Sequence, residues 1–319
     1  MLSVSPNRRF IANSDGSPFF YLGDTAWELF HRLNREDANR YLEDRAAKRF
    51  TVIQAVVISE FEGLEAPNAY GDLPLHDQDP ARPNETYFRH VDWIVDRASE
   101  LGMHIGMLPT WADKVGPMSW GTGPEVFTVA NAADYGRFLA ERYKDAPIIW
   151  ILGGDRNPAS PEHVAIWRSM AEGLTAGDGG EHLRTFHPQG RSSSASFVHE
   201  EDWLDFNMIQ SGHHELNGPN YQIIEADYSR VPAKPILDGE PCYEDHPVNW
   251  KPELGHFSDW DARKAAYWSL FAGSCGHTYG ANSISSSGRA AIRASLAPDA
   301  HGRKPSTSRA AARFGMRAP

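Results

Sequence analysis

Apolar runs and polar breaks alternate along this chain in the order strand, helix, strand, helix. Residues 51–58 (T-V-I-Q-A-V-V-I) are β-branched and almost wholly apolar, as a strand buried on both faces should be. Residues 19–23, 103–109 and 148–152 repeat that pattern. Apolar residues at helical spacing, such as Ala38, Tyr41, Leu42 and Ala46, predict helices over 36–50, 87–101, 132–143 and 161–174. Gly102 ends the second of these and Pro161 opens the fourth. A long Gly/Pro/Asp-rich loop fills 59–84. The second half is less regular. Short strands are expected at 183–186, 204–210, 235–237 and 277–282, with helices over 221–229 and 262–272. Eight strands with interposed helices predict an α/β fold, a (β/α)₈ TIM barrel. Parallel strands need helical crossovers, and this spacing supplies them. A doubly wound sheet fits less well, because no G-x-G-x-x-G follows the first strand.

Two of the apolar runs stop on a carboxylate. Residues 234–244 read K-P-I-L-D-G-E-P-C-Y-E, ending the run on Glu240 between Gly239 and Pro241. Residues 147–158 read P-I-I-W-I-L-G-G-D-R-N-P and end on Asp155. The C-terminal rim of a barrel holds its active site, so both acids are expected over one pocket. Paired rim carboxylates are the machinery of glycoside hydrolysis, which needs one acid protonated and one ionised. Other strand ends carry Asp24 and Trp27, Trp111, His187, Gln210 and His213, and Tyr279 and Asn282, while Tyr243 follows Glu240. Asp and His hydrogen-bond vicinal hydroxyls and Trp stacks on sugar faces, so these are the expected substrate-binding residues. The structural alternative is that each acid caps a helix or pairs with Arg.

Composition narrows the partners. The 319 residues carry a net charge of −11, which argues against nucleic acid and against an anionic membrane surface. The 10 Trp, 11 Tyr and 15 Phe leave aromatic faces for an oligosaccharide substrate. Two cysteines, Cys242 and Cys275, imply no disulfide framework. No apolar run is long enough for a transmembrane helix. The first residues lack the apolar core of a signal peptide, so a cytoplasmic location is expected. His187 and His213-His214 match no metal-ligand spacing, and no P-loop or G-x-S-x-G elbow occurs. No metal and no cofactor are therefore expected. Residues 1–283 form the expected catalytic domain. Residues 284–319 carry one aromatic, Phe314, and no periodic apolar face, so they read as a disordered tail. A frameshift or truncation is the sharper expectation, because the last crossover helix should begin there.

Gly23 to Phe30 (G-D-T-A-W-E-L-F), the W-I-L-G-G-D strand end, His187 to Gly190 (H-P-Q-G), Trp203 to His213 (W-L-D-F-N-M-I-Q-S-G-H) and Leu237 to Glu244 (L-D-G-E-P-C-Y-E) resemble the apiosidase-like glycoside hydrolases. That family is similar to the clan A hydrolase barrels. The resemblance spans about residues 5 to 283. It implies retaining chemistry, with Asp155 as general acid/base, Glu240 as nucleophile and the other rim residues lining the glycone site. Clan A barrels usually carry Asn-Glu at the end of strand four; here the pair is Gly154-Asp155. Members of the family usually continue into an aromatic-rich last helix and a small C-terminal β domain, and both are expected to be missing here. The expected activity is exo-hydrolysis of plant cell-wall-type oligosaccharides. The alternatives are a non-catalytic carbohydrate-binding barrel or another hydrolase on the same scaffold.

Overall fold

The computed structural model describes residues 1–116, 121 and 123–282. The expectations for 284–319, and for a missing last helix and β domain, lie outside the described residues. Eight parallel strands form the wall of a nearly closed barrel: β1 (Tyr21–Thr25), β2 (Val52–Val56), β3 (His104–Leu108), β4 (Ile148–Gly153), β5 (Arg184–His187), β6 (Asn207–Gln210), β7 (Ile236–Asp238) and β8 (Gly276–Tyr279). Their order is β5-β4-β3-β2-β1-β8-β7-β6, with a two-residue antiparallel strand, Ser192–Ser193, beyond β6. Closure between β5 and β6 is made by Asp205 N–H donating to Arg184 O at 2.9 Å and by the Thr185 hydroxyl donating to Phe206 O at 2.7 Å.

The crossovers are α1 (Arg35–Ala47), α2 (Glu85–Glu100), α3 (Val129–Tyr143), α4 (Pro161–Asp178), the single turn α5 (Ala195–Val198), α6 (Asn220–Tyr228) and α7 (Asp259–Phe271). Their starts are set by side chains that take orphan amides: Asn34, Asn84 and Ser160 accept at α1, α2 and α4, and Ser258 with Asp261 makes a capping box at α7. Gly179, left-handed at φ 70°, closes α4.

Each of β1 to β4 feeds two cores. On β4, Ile149 and Ile151 point into the barrel with Val52, Val56, Met208 and Leu237. Ile148, Trp150 and Leu152 face the helices. This explains the unbroken apolar runs, since neither side of the strand meets water. A small antiparallel sheet, Ser3–Val4, Ile11–Ala12 and Pro18–Phe19, precedes the barrel. Its Ile11, Phe10 and Phe19 pack on the inner core. That sheet captures Phe19, so the first barrel strand starts two residues later than the sequence pattern suggests.

Candidate active site

The exits of β4 and β7 bring the two acids together. After β4 the backbone runs through Gly153 at φ 86° and Gly154 at φ 126°, then Asp155 at φ 54°. A Cβ at Gly153 would sit 2.4 Å from His187 O, and one at Gly154 2.8 Å from the Trp111 ring. Only glycine permits this tight exit, which turns Asp155 over the barrel mouth. Glu240 follows β7. Beneath it, Gln54 from inside the barrel donates to Gly239 O at 2.9 Å and accepts from the Tyr21 hydroxyl at 3.2 Å. Both acids line one cavity of about 370 Å³, together with Trp27, Trp111, Gln210, His213, Tyr243 and Asn282.

Their environments differ in kind. The Asp155 amide donates to His187 Nδ1 at 3.2 Å, and the Tyr243 amide donates to His213 Nδ1 at 3.3 Å. Each histidine therefore keeps its proton on Nε2. His213 Nε2 lies 3.1 Å from Glu240 Oε1. His187 Nε2 lies 3.0 Å from Oε2, off the N–H axis. Burial opposes ionisation of Glu240, but these two imidazoles overcome it and hold the carboxyl well below its ordinary range. Asp155 moves the other way. Burial, and then the charge of Glu240, push it up to about 6, against opposing pulls from His187 and the Gln210 side chain. Trp27 Nε1 donates to the Tyr243 hydroxyl at 3.1 Å, fixing that phenol beside Glu240.

The other expected site residues divide. His187 is wholly buried and reaches the site through Glu240. Asp24 and Tyr279 lie elsewhere. Asp24 faces α1, where Tyr41 and Arg45 take its carboxylate. The Tyr279 hydroxyl donates to Glu244 at 2.7 Å, and its ring packs toward Phe50. Strand alternation sends both outward from the barrel, so neither lines the cavity.

The cavity also recruits Glu60, His246 and Trp250, which the sequence pattern does not single out. Glu60 sits in the long loop after β2. Arg156 donates to it at 3.1 Å, while burial lifts its carboxyl to about 7. Trp250 is 57% exposed and stands edge-on to His213, His214 and His246. Asn249 and Trp250 are both left-handed, at φ 51° and 56°. Trp250 is thus an uncovered indole on a left-handed turn at the cavity mouth. A signal for it was present, an N-W pair in a Pro-flanked loop, but loop composition carries no direction.

A parallel barrel with two interacting carboxylates over one rim cavity defines the class of glycoside hydrolase barrels. The chain belongs to the apiosidase-like family: the model of its catalytic domain matches residues 5–299. A glycoside hydrolase family 5 structure from Bacteroides vulgatus is 36% identical, with a TM-score of 0.79 over 89% of this chain and 62% of that one. A second structure, named as a glycoside hydrolase, is 34% identical, with a TM-score of 0.80 over 100% of this chain and 69% of that one. The chain thus spans about two thirds of the length of these two. A family 5 mannosidase from Rhizomucor miehei, 13% identical with a TM-score of 0.67 over 99% of this chain and 96% of that one, shares the fold. No curated protein matches the sequence.

Proposed function

We propose that this chain is a retaining, exo-acting glycoside hydrolase on plant cell-wall-type oligosaccharides, with Asp155 as general acid/base and Glu240 as nucleophile. The observation that carries the reading is the opposed environment of the two acids. A general base works best with a pKa near the operating pH. Glu240, hydrogen-bonded by His213 with the His187 imidazole beside it and held far below that range, is a poor base and a good ionised nucleophile. That favours the double displacement over single inversion. Glu240 attacks the anomeric carbon while Asp155, kept protonated by burial and by the charge of Glu240, gives its proton to the leaving oxygen. Departure of the aglycone leaves a glycosyl ester on Glu240. Asp155, now ionised, takes a proton from water, which attacks the same carbon and frees Glu240. A cavity of about 370 Å³ has room for little more than a short glycan, which supports exo action.

The test is a screen of aryl glycosides, including apiosides, arabinosides and glucosides. Asp155→Ala and Glu240→Ala should each lower kcat by about 10³-fold or more on the glycoside that the wild type cleaves. Near-normal turnover in either variant overturns the assignment. Saturable sugar binding with no product over days, in the wild type, would favour the carbohydrate-binding alternative.

A further inference from the structure

The cavity that holds Asp155 and Glu240 changes character from base to mouth. At the base its lining is covered: Trp111, His213 and Tyr243 are each buried. At the mouth stand two aromatic rings that the fold leaves half open, Phe61 at 46% exposure and Trp250 at 57%. They arrive from different loops, Phe61 after β2 and Trp250 after β7, with β1 and β8 between those strands along the wall. Each offers a flat apolar face to whatever occupies the mouth.

Glu60, next to Phe61, lines the same cavity and keeps 14% of its side chain open. It lies on the Asp155 flank. Arg156, the residue after Asp155, donates to its carboxylate at 3.1 Å, and the Lys114 ammonium donates to its backbone O at 3.0 Å. Burial lifts the Glu60 carboxyl to about 7; Arg156 opposes that rise, and the charges of Asp155 and Asp113 add to it. Above about pH 7 Glu60 is therefore a fixed negative charge at the cavity, besides Glu240.

The charge of the lining is one-sided. Asp155, Glu240, Glu60 and Glu28 all line the cavity, and among the described residues no Lys or Arg does. Arg156 and Arg32 stand behind the carboxylates they pair with, Glu60 at 3.1 Å and Glu28 at 3.0 Å. Burial draws His246 down to about 4, so it adds no positive charge near neutrality. A carboxylate entering the mouth would meet like charge in a partly buried site, where repulsion is stronger than in water.

An exo-acting pocket encloses the glycone and leaves the departing group at its mouth, so the mouth residues are the ones that read that group. We infer that Glu60, Phe61 and Trp250 form the leaving-group subsite, that it takes a neutral ring with a flat apolar face, and that Glu60 is the specificity-determining residue that turns away uronates. This inference rests on the exo action and the Asp155 role proposed above.

Two matched pairs of substrates test it, built on the glycone that the aryl-glycoside screen selects, or on apiose if it selects none. In one pair the leaving group is 4-hydroxybenzamide or 4-hydroxybenzoate; in the other it is D-galactose or D-galacturonate. At pH 8 the wild type should favour the neutral member of each pair in kcat/KM by about tenfold or more. Glu60→Gln should cut that preference at least threefold. The ratio cancels the pH dependence of the acid–base step, which both members share. If Glu60→Gln fails to melt cooperatively, the wild type alone decides: its preference should shrink at pH 5.5, where Glu60 takes up its proton. Trp250→Ala should raise KM for both members of a pair alike, and the pair with the larger rise identifies the ring, phenol or sugar, that stacks. Equal kcat/KM for neutral and anionic members, a preference unmoved by Glu60→Gln, or no rise in KM for either pair overturns the proposal. Calorimetric titration of Asp155→Asn with the same four glycosides reads the subsite without turnover. Tighter binding of the neutral members there, with no cleavage by the wild type, keeps the charge selection and removes only the catalytic reading.

Discussion

Glu240 and Asp155 carry the same functional group into opposite surroundings, and their titration should show it. In the proposed mechanism, kcat/KM requires Glu240 ionised and Asp155 protonated. The alkaline limb of its pH profile is therefore expected near pH 6, where Asp155 loses its proton, and the acid limb well below the usual carboxylate range. Removing one donor weakens the hold on the Glu240 charge. His213→Ala should move the acid limb to higher pH and leave the alkaline limb near its place, as a pH series on one aryl glycoside would reveal. Trp250 is expected to act on the leaving group. Trp250→Ala should raise KM for an aromatic aglycone by about tenfold, a stacking contribution of about 1 kcal/mol or more, and alter kcat little. Equal KM values in variant and wild type would remove it from the substrate path.

Asp24 shows how an element claims a residue that looks functional from its position. It stands at the strand end of β1, where rim residues are expected, but its side chain points to α1 and is enclosed with Arg45 and Tyr41. The pair fastens the first strand to the first helix. Asp24→Ala leaves the Arg45 guanidinium buried without its main anion, which should cost about 3–5 kcal/mol of stability. The surviving folded fraction should keep its KM, because Asp24 does not touch the cavity. Denaturant unfolding and steady-state kinetics on one preparation separate the two effects. A changed KM with unchanged stability would return Asp24 to the binding site.

For the whole molecule, the ionised form of Asp155 opposes stability, whereas the Glu240 charge, held by its histidines, favours it. Asp155 has a folded-state pKa of about 6 against an ordinary 3.8, so its ionisation weakens the fold. The penalty is absent below about pH 3.8, grows as pH rises and is complete above about pH 6, reaching on the order of 3 kcal/mol. Asp155→Asn should therefore melt several degrees above the wild type at pH 8 and close to it at pH 4, while losing turnover. Equal Tm values at pH 8 would show that Asp155 feels neither the burial nor the neighbouring charge. The barrel itself was legible in the chain because strands buried on both faces must be apolar throughout, and helices over them must repeat near 3.6 residues. Both acids were legible for a related reason: a carboxylate that ends a buried run, with glycine on one side, has few places to go but the rim. The family followed from the same segments. The antiparallel sheet before β1, the outward turn of Asp24 and Tyr279, and the recruitment of Glu60, His246 and Trp250 were decided only by the tertiary structure. Periodicity within a strand fixes alternation but not which parity faces the barrel axis, and a loop's sequence carries no record of what it folds against. The gap between the two acids' proton affinities was likewise hidden, since it depends on two histidines whose tautomers are set by amides far away in sequence.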